Sequence, residues 1–260
     1  MPLDSSALEQ LVESIQRLPT GKMIRMSRYS PSRDIAPLLD ATQQWIKRCL
    51  IQQRSLFTDK YLWRIQDLAL VRSAFTDNPD ESEASFFEKL EGQLASASPA
   101  TKQLMAELLW VLMLFQSNIR PLKKRESISL VWGWSGEDLA MDHPLLSDAV
   151  LIGAGSPGTA YNTQRWRELN YLISLIQDLA GRSEAERTAL LFDRDSFESW
   201  IAHAPQEGYR QFRHVFRYLA FPERNERITL GRDRWLILKA FKGLDPAEVQ
   251  QKTEAEQDDL

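Results

Sequence analysis

The 260-residue chain carries a single cysteine, Cys49, so no disulfide can form within it and no thiolate-rich zinc site can be built from it. A reducing, cytoplasmic setting suits such a chain. Its only histidines, His143, His203 and His214, are dispersed and show no HExxH-type pairing, so a metal site is not expected. Neither sign of charge dominates. Lys+Arg number 32 against 36 Asp+Glu, a net −4, so no global basic field draws the molecule to nucleic acid or to an anionic membrane, and such binding would need a local patch. Met1 to Ser14 lacks the basic start and apolar centre of a secretory signal. The most apolar run, Leu108 to Phe115, falls far short of the roughly 20 residues that cross a bilayer, so no membrane association is expected. Glycine (11) and proline (12) are sparse, and no alternating β-branched run is present.

What is present is helical periodicity, and it predicts a mainly α fold of about ten or more helices with little or no sheet. Ser6-Ala7-Leu8-Glu9 reads as a capping box opening a first helix, with Lys22 to Arg33 a loop or extended arm. Ile35, Leu38, Leu39, Thr42, Trp45, Ile46 and Cys49 mark one apolar face, and Tyr61, Leu62, Ile65, Leu68, Ala69 and Phe75 a second. Cys49 on that stripe reads as a buried, inert thiol. A new cap is expected at Asp80 or Ser82, and Ser98-Pro99 starts a further helix with proline in its first turn. Leu104 to Phe115 is apolar nearly all round, so it should be the covered hub of the N-terminal half. Glu107 alone interrupts it. That carboxyl is either a catalytic acid of raised pKa or, the commoner arrangement, the partner of an arginine or a helix N-terminus.

After Pro121 come Lys123, Lys124 and Arg125, a Trp-rich segment, and then a glycine-rich stretch Gly153-Ala154-Gly155-Ser156-Pro157-Gly158. Free N–H groups ahead of a helix capped at Asn162 or Thr163 resemble a phosphate cradle. The lysine of a Walker A loop is absent, and Pro157 removes a donor, so the glycines read as structural, with φ > 0, turning the chain so that Tyr161 and Trp166 dock on the core. No cofactor is expected. No nucleophile elbow is present either, so no catalytic constellation is visible.

The helix Gln164 to Ala180 presents Trp166, Leu169, Leu172, Ile173, Ile176 and Leu179 on one face, with Arg165 and Glu168 on another. Three more follow, Ser183 to Phe192, Asp195 to Ala202 and Glu207 to Phe221. On the last, Arg210, Arg213 and Arg217 fall on one face, and Arg224, Arg227, Arg232 and Arg234 come shortly after. Arginine at helical spacing suits phosphate or carboxylate recognition. The competing reading is a face paired with Glu207, Glu223 and Glu226.

A set of spaced motifs then carries a resemblance. Gln93-Leu94 with Leu104-Met105-Ala106-Glu107-Leu108-Leu109, His143-Pro144-Leu145-Leu146-Ser147-Asp148, the Gly153 to Asn162 stretch, Arg165-Trp166-x-Glu168-Leu169, and Tyr218-Leu219-x-Phe221-Pro222 with Glu226-Arg227-Ile228 resemble the region preceding the motor module of McrB-like AAA+ ATPases. The similarity runs from about Phe86 to Phe241. It departs at Pro222-Glu223 and Asn225, where the family usually has Pro-Asp and then an aromatic residue. The resemblance implies a restriction or anti-phage defence assembly in which an AAA+ ring hydrolyses nucleotide, an N-terminal region recognises a target, often nucleic acid, and a nuclease partner cuts. This sequence has no Walker motifs, so it is expected to be non-catalytic itself, and a full-length protein carrying it would be the ATPase. The acidic stretch Asp245 to Leu260 reads as a linker, which favours a fragment over a stand-alone relative.

Four segments are expected: an N-terminal helical lobe (1–120), a connection (121–142), a C-terminal helical lobe (143–243) and an acidic helical tail or linker (244–260). Two functions compete. One is a recognition or adaptor module of an McrB-like defence system that touches DNA phosphate through Arg210, Arg213, Arg217, Lys123, Lys124 and Arg125, beside an AAA+ module or nuclease subunit. The other is a protein-interaction scaffold without nucleic-acid contact.

Overall fold

The computed structural model describes residues 34–204 and 208–260. The expected Ser6 capping box, the arm from Lys22 to Arg33, and Glu207 lie outside them. The described residues form fourteen α-helices and no sheet, with isolated bridges at Arg54–Tyr61 and Gln116–Gly155. No helix among them is long and apolar enough to cross a membrane.

Helix α1 (Ala36–Trp45) runs on into π-helical turns (Ile46–Ile51), and α2 (Ile65–Val71) does the same through Arg72–Thr76. The second apolar segment is therefore shorter than its periodicity predicts: Tyr61 and Leu62 belong to the loop ahead of α2. Helix α3 (Phe86–Leu94) begins at Ser85, whose capping box with Glu88 displaces the start expected at Asp80 or Ser82. Ser98 caps α4 (Pro99–Leu114) by accepting the Thr101 N–H. Every side chain from Leu104 to Leu114 is buried, so α4 is the hub that its all-round apolarity demands, covered by α2 and by helices still to come. Pro121 opens α5 (Pro121–Gly133) at its first position, where a missing N–H costs nothing. The segment expected as a connection is thus largely a helix against the hub.

A 3₁₀ turn (Pro144–Leu146), α6 (Asp148–Leu151) and α7 (Thr159–Thr163) lead into α8 (Arg165–Ala180), α9 (Glu184–Phe192), α10 (Arg194–His203) and α11 (Phe212–Ala220). The chain closes with α12 (Gly231–Lys242), α13 (Pro246–Gln250) and α14 (Glu254–Asp258). One buried cluster extends from Ile35 to Ala220 and includes Ile128, Val131 and Trp132 of α5. Tyr161 docks fully, its hydroxyl donating to the Leu112 carbonyl at 2.8 Å, whereas Trp166 stays 47% exposed with the Arg167 guanidinium over its ring. The expected docking of Trp166 therefore does not occur.

The glycine-rich stretch closes the C-terminal end of the hub. The N–H groups of Ala154 and Gly155 both donate to the Phe115 carbonyl, at 2.9 and 3.0 Å, so a bound phosphate would have to compete for them. Gly153 and Gly158 have positive φ; Gly155 does not. Gly155 is required for space instead, since a Cβ there would lie 2.8 Å from Phe115 Cζ. Asn162 is not a cap but sits inside α7, where its side-chain oxygen accepts from Gln116 Nε2 at 2.9 Å.

Candidate interaction site

The residues singled out from the sequence separate into two places. Lys123, Lys124 and Arg125 open α5, and the helical period sends them in three directions. Lys123 is exposed and pairs with Glu126 at 2.7 Å. Lys124 points inward with Ile128 and Val131, one and two turns along, and its ammonium donates to the Leu151 carbonyl at 2.8 Å. Arg125 donates to the Leu146 carbonyl at 3.1 Å and pairs with Asp148. The cluster is not a single surface patch.

The arginine stripe is divided too. Helix α11 begins at Phe212, later than its expected start, so Arg210 lies on the approach to the helix and donates to the Tyr209 carbonyl. Arg213 and Arg217 are on α11. Arg217 is 1% exposed, and its guanidinium meets Glu198 of α10 at 2.7 Å and Glu254 and Asp258 of α14 at 3.4 and 3.1 Å. Arg213 meets Glu254 at 2.9 Å, and Arg234, buried on α12, meets Asp258 at 2.5 Å. At the edge, Arg194 grips Asp259 with two nitrogens at 3.0 and 3.1 Å, and Arg224 stands 3.7 Å from the same carboxylate. Five arginines thus converge on the acids of the last few residues and on Glu198. The remaining two arginines lie elsewhere: Arg227 donates to the Ala154 carbonyl at 3.1 Å, and Arg232 is exposed at the start of α12.

The expected partners Glu223 and Glu226 are not the ones used. The acidic stretch from Asp245, expected as a helical tail or linker, forms the short helices α13 and α14 and folds back onto the arginines. Two capping boxes, Asp245 with Glu248 and Thr253 with Glu256, start these short helices, and Gln257 Nε2 ties them by donating to the Val249 and Lys252 carbonyls at 3.0 Å. Glu254 and Asp258, four residues apart, fall on one face of α14 and meet the arginines together.

His214 sits in the middle of this cluster. The Tyr209 hydroxyl donates to the Thr229 carbonyl at 2.9 Å, so His214 Nε2–H donates to that hydroxyl at 2.7 Å, and Nδ1 keeps its lone pair. Burial, reinforced by Arg234, Arg217 and Arg213, pushes the imidazole pKa well below its usual value and keeps it neutral. Tyr209, His214, Arg234, Trp235, Val249 and Glu254 line a cleft of ≈ 420 Å³ between α12 and the returning segment. Hydrogen bonds to Arg194 hold the Asp259 carboxyl below the ordinary range. The chemistry on offer is guanidinium–carboxylate recognition on a buried, preorganised frame. Among the described residues, no group of three or more His, Cys, Asp or Glu side chains is placed to hold a metal ion.

Two buried carboxylates, Glu107 and Glu168, are fixed in contacts within the fold. Glu107 meets neither an arginine nor a helix N-terminus: it accepts from the Ser55 hydroxyl and the Trp63 indole, both at 2.5 Å, and so clamps the loop ahead of α2 onto the hub. Glu168 does meet a helix start. It is buried, and it accepts the Gln211 and Phe212 N–H groups at 3.2 and 2.8 Å, capping α11 from another helix. Burial raises the pKa of both.

No family model, curated protein or solved structure matches the chain.

Proposed function

We propose that this chain is a non-catalytic adaptor module that works by binding other proteins, within a defence ATPase assembly of the McrB-like kind on the strength of the motifs from Phe86 to Phe241. One observation carries the reading: the basic side chains that a phosphate-binding surface would use are turned onto the chain's own groups. Arg213 and Arg217 face carboxylates, Lys124 and Arg125 face main-chain carbonyls, and Lys123 faces Glu126. A nucleic acid would have to displace those partners before it gained a single phosphate contact. The exposed apolar residues of α12, Leu236, Ile237 and Phe241, provide a face that a protein partner can cover.

A mobility-shift titration with DNA, with and without modified bases, at about 50 mM and about 200 mM salt tests this reading. No retarded complex is expected at either salt. A complex at low salt that weakens steeply with salt and disappears on Lys123→Ala or Arg210→Ala would replace the adaptor reading with direct DNA recognition. The wider assembly is checked in the genome: a Walker A loop in the reading frame beyond Leu260, or a nuclease gene beside it, supports the McrB-like context, and unrelated neighbours with a stop codon count against it.

A further inference from the structure

We propose that the groove formed by Arg194, Arg213, Arg217 and Arg234 is a docking site for an acidic helical segment of a partner protein, and that residues 252–260 occupy it as a competing intramolecular strap. The proposal deepens the adaptor reading and rests on it for the existence of a partner.

The groove is built and its specificity is visible. Arg217 and Arg234 are buried, held by Glu198, Asn225 and the Ile228 carbonyl, and their remaining nitrogens meet the acids of α14. What meets them is a pair of carboxylates at i and i+4 on one helix face, with a third, Asp259, gripped by two nitrogens of Arg194. Guanidinium forks select planar carboxylates in fixed directions, so an acidic helix with the same spacing would satisfy the same donors.

The occupant is held by charge rather than by apolar packing. Helix α14 has five residues, and what it buries is the Asp258 carboxylate, whose side chain is 2% exposed; its one apolar residue, Ala255, is not buried. The nearest apolar anchor is Val249 of α13. Removing α14 leaves Arg217 with Glu198 alone among its ion-pair partners and uncovers donors that Glu254 and Asp258 now cover, which favours a groove filled by carboxylates. Exchange of one acidic helix for another keeps every arginine paired. Exchange for water does not.

The test uses the full chain and a fluorescent peptide of residues 252–260, read by anisotropy. Wild-type protein should bind the peptide weakly, because the tethered strap competes at an effective concentration that a free peptide cannot match. In a Glu254→Gln/Asp258→Asn/Asp259→Asn variant the peptide should bind at least about tenfold more tightly, and Arg213→Gln in that background should take back about tenfold. A peptide of the same composition with its acids moved off one helix face should bind less well. Equal binding by wild type and variant, no binding to a folded variant, or equal binding of the rearranged peptide would overturn the proposal. Tighter displacement by an oligonucleotide than by the peptide would also overturn it. If the variant fails to melt cooperatively, amide exchange in the wild type decides: exchange across 253–258 at least about tenfold faster than across α11, accelerated by salt, supports a strap, and equal protection makes it a core element. Failure of the peptide to bind leaves the absence of a DNA complex, and with it the adaptor reading, standing; a DNA complex ends that reading whatever the peptide does.

Discussion

The carboxylate of Glu107 accepts the indole N–H of Trp63 at 2.5 Å, across 44 residues of sequence, in a part of the hub with no solvent access. Ser55 Oγ–H donates to the other oxygen at 2.5 Å. This one side chain therefore satisfies two buried donors and fixes the loop between the π-helical turns of α1 and helix α2. Glu107→Ala should cost about 1–3 kcal/mol for the orphaned donors, beyond the cost of the space left behind. Denaturant unfolding measures it. A loss below about 0.5 kcal/mol would mean that the loop is held from elsewhere.

The same carboxyl has a defined pH signature. Burial raises its folded-state pKa above the ordinary glutamate value of 4.5, only partly offset by Ser55, Trp63 and the main chain, and the Cys49 thiol beside it is held protonated by burial. The folded state therefore binds more protons than the unfolded state as pH rises above that value, and the contribution of Glu107 to stability falls across that window. Glu107→Gln removes the titration while leaving one donor opposed by an amide N–H₂. The stability gap between wild type and Glu107→Gln should accordingly narrow as pH is raised from about 4 toward 7. A gap that widened would reverse the assignment.

Among the glycines, position 153 should be the least tolerant. A Cβ there would lie 2.3 Å from the Gln116 carbonyl oxygen, main chain that cannot swing away, and φ is +80°. Gly153→Ala should cost at least about 2 kcal/mol from the left-handed conformation and the clash together. At Gly155 the obstacle is the far edge of the Phe115 ring at 2.8 Å, with no conformational penalty, so Gly155→Ala should cost less, about 1–3 kcal/mol. Thermal melts rank the two. Millimolar ATP or GTP with magnesium should shift neither the wild type nor Gly155→Ala.

Arg217→Met should be the most damaging single change in the arginine cluster. It leaves the Asp258 side chain, 2% exposed, beside Arg234 alone, and deprives Glu198 of its partner. Breaking a buried pair from one side costs about 3–5 kcal/mol. Arg224→Met, whose guanidinium is 59% exposed and 3.7 Å from Asp259, should change stability by less than about 0.5 kcal/mol. Comparable losses in the two variants would show that the cluster is solvated.

The helical class and the hub were legible because both rest on local periodicity, and Ser98 because a cap is read over four residues. The ion-pair partners of Arg217 were not, since Glu198 and Glu254 lie 19 and 37 residues away and nothing local distinguishes them from Glu223. Lys124 could have been found: with Pro121 taken as a helix start, Lys124, Ile128 and Val131 share one face, and a lysine on an apolar face is a buried donor needing carbonyls. Glu168 had the same signal, sharing a face with Leu172 and Ile176 one and two turns along α8, but its role as a cap for α11 is set by tertiary packing. The π-helical turns after α1 and α2 have no sequence mark in this chain.

Helix α12 gives a last contrast, between neighbours on one helix. Leu238 is buried, whereas Phe241 is 81% exposed, with Ile237 one turn before it and Lys242 next to it also exposed. A large aromatic ring held in water contributes almost nothing to the isolated fold, so Phe241→Asp should leave the melting temperature nearly unchanged, within about 0.5 kcal/mol. Leu238→Ala should cost about 2 kcal/mol or more. The adaptor reading adds that Phe241→Asp abolishes association with an AAA+ or nuclease partner, since a carboxylate at the centre of an apolar contact is left unpaired, while Leu238→Ala weakens association only as far as it unfolds the helix. Equal losses of melting temperature for the two variants would mean that Phe241 is covered within the molecule, and the partner-binding face would have to be sought elsewhere.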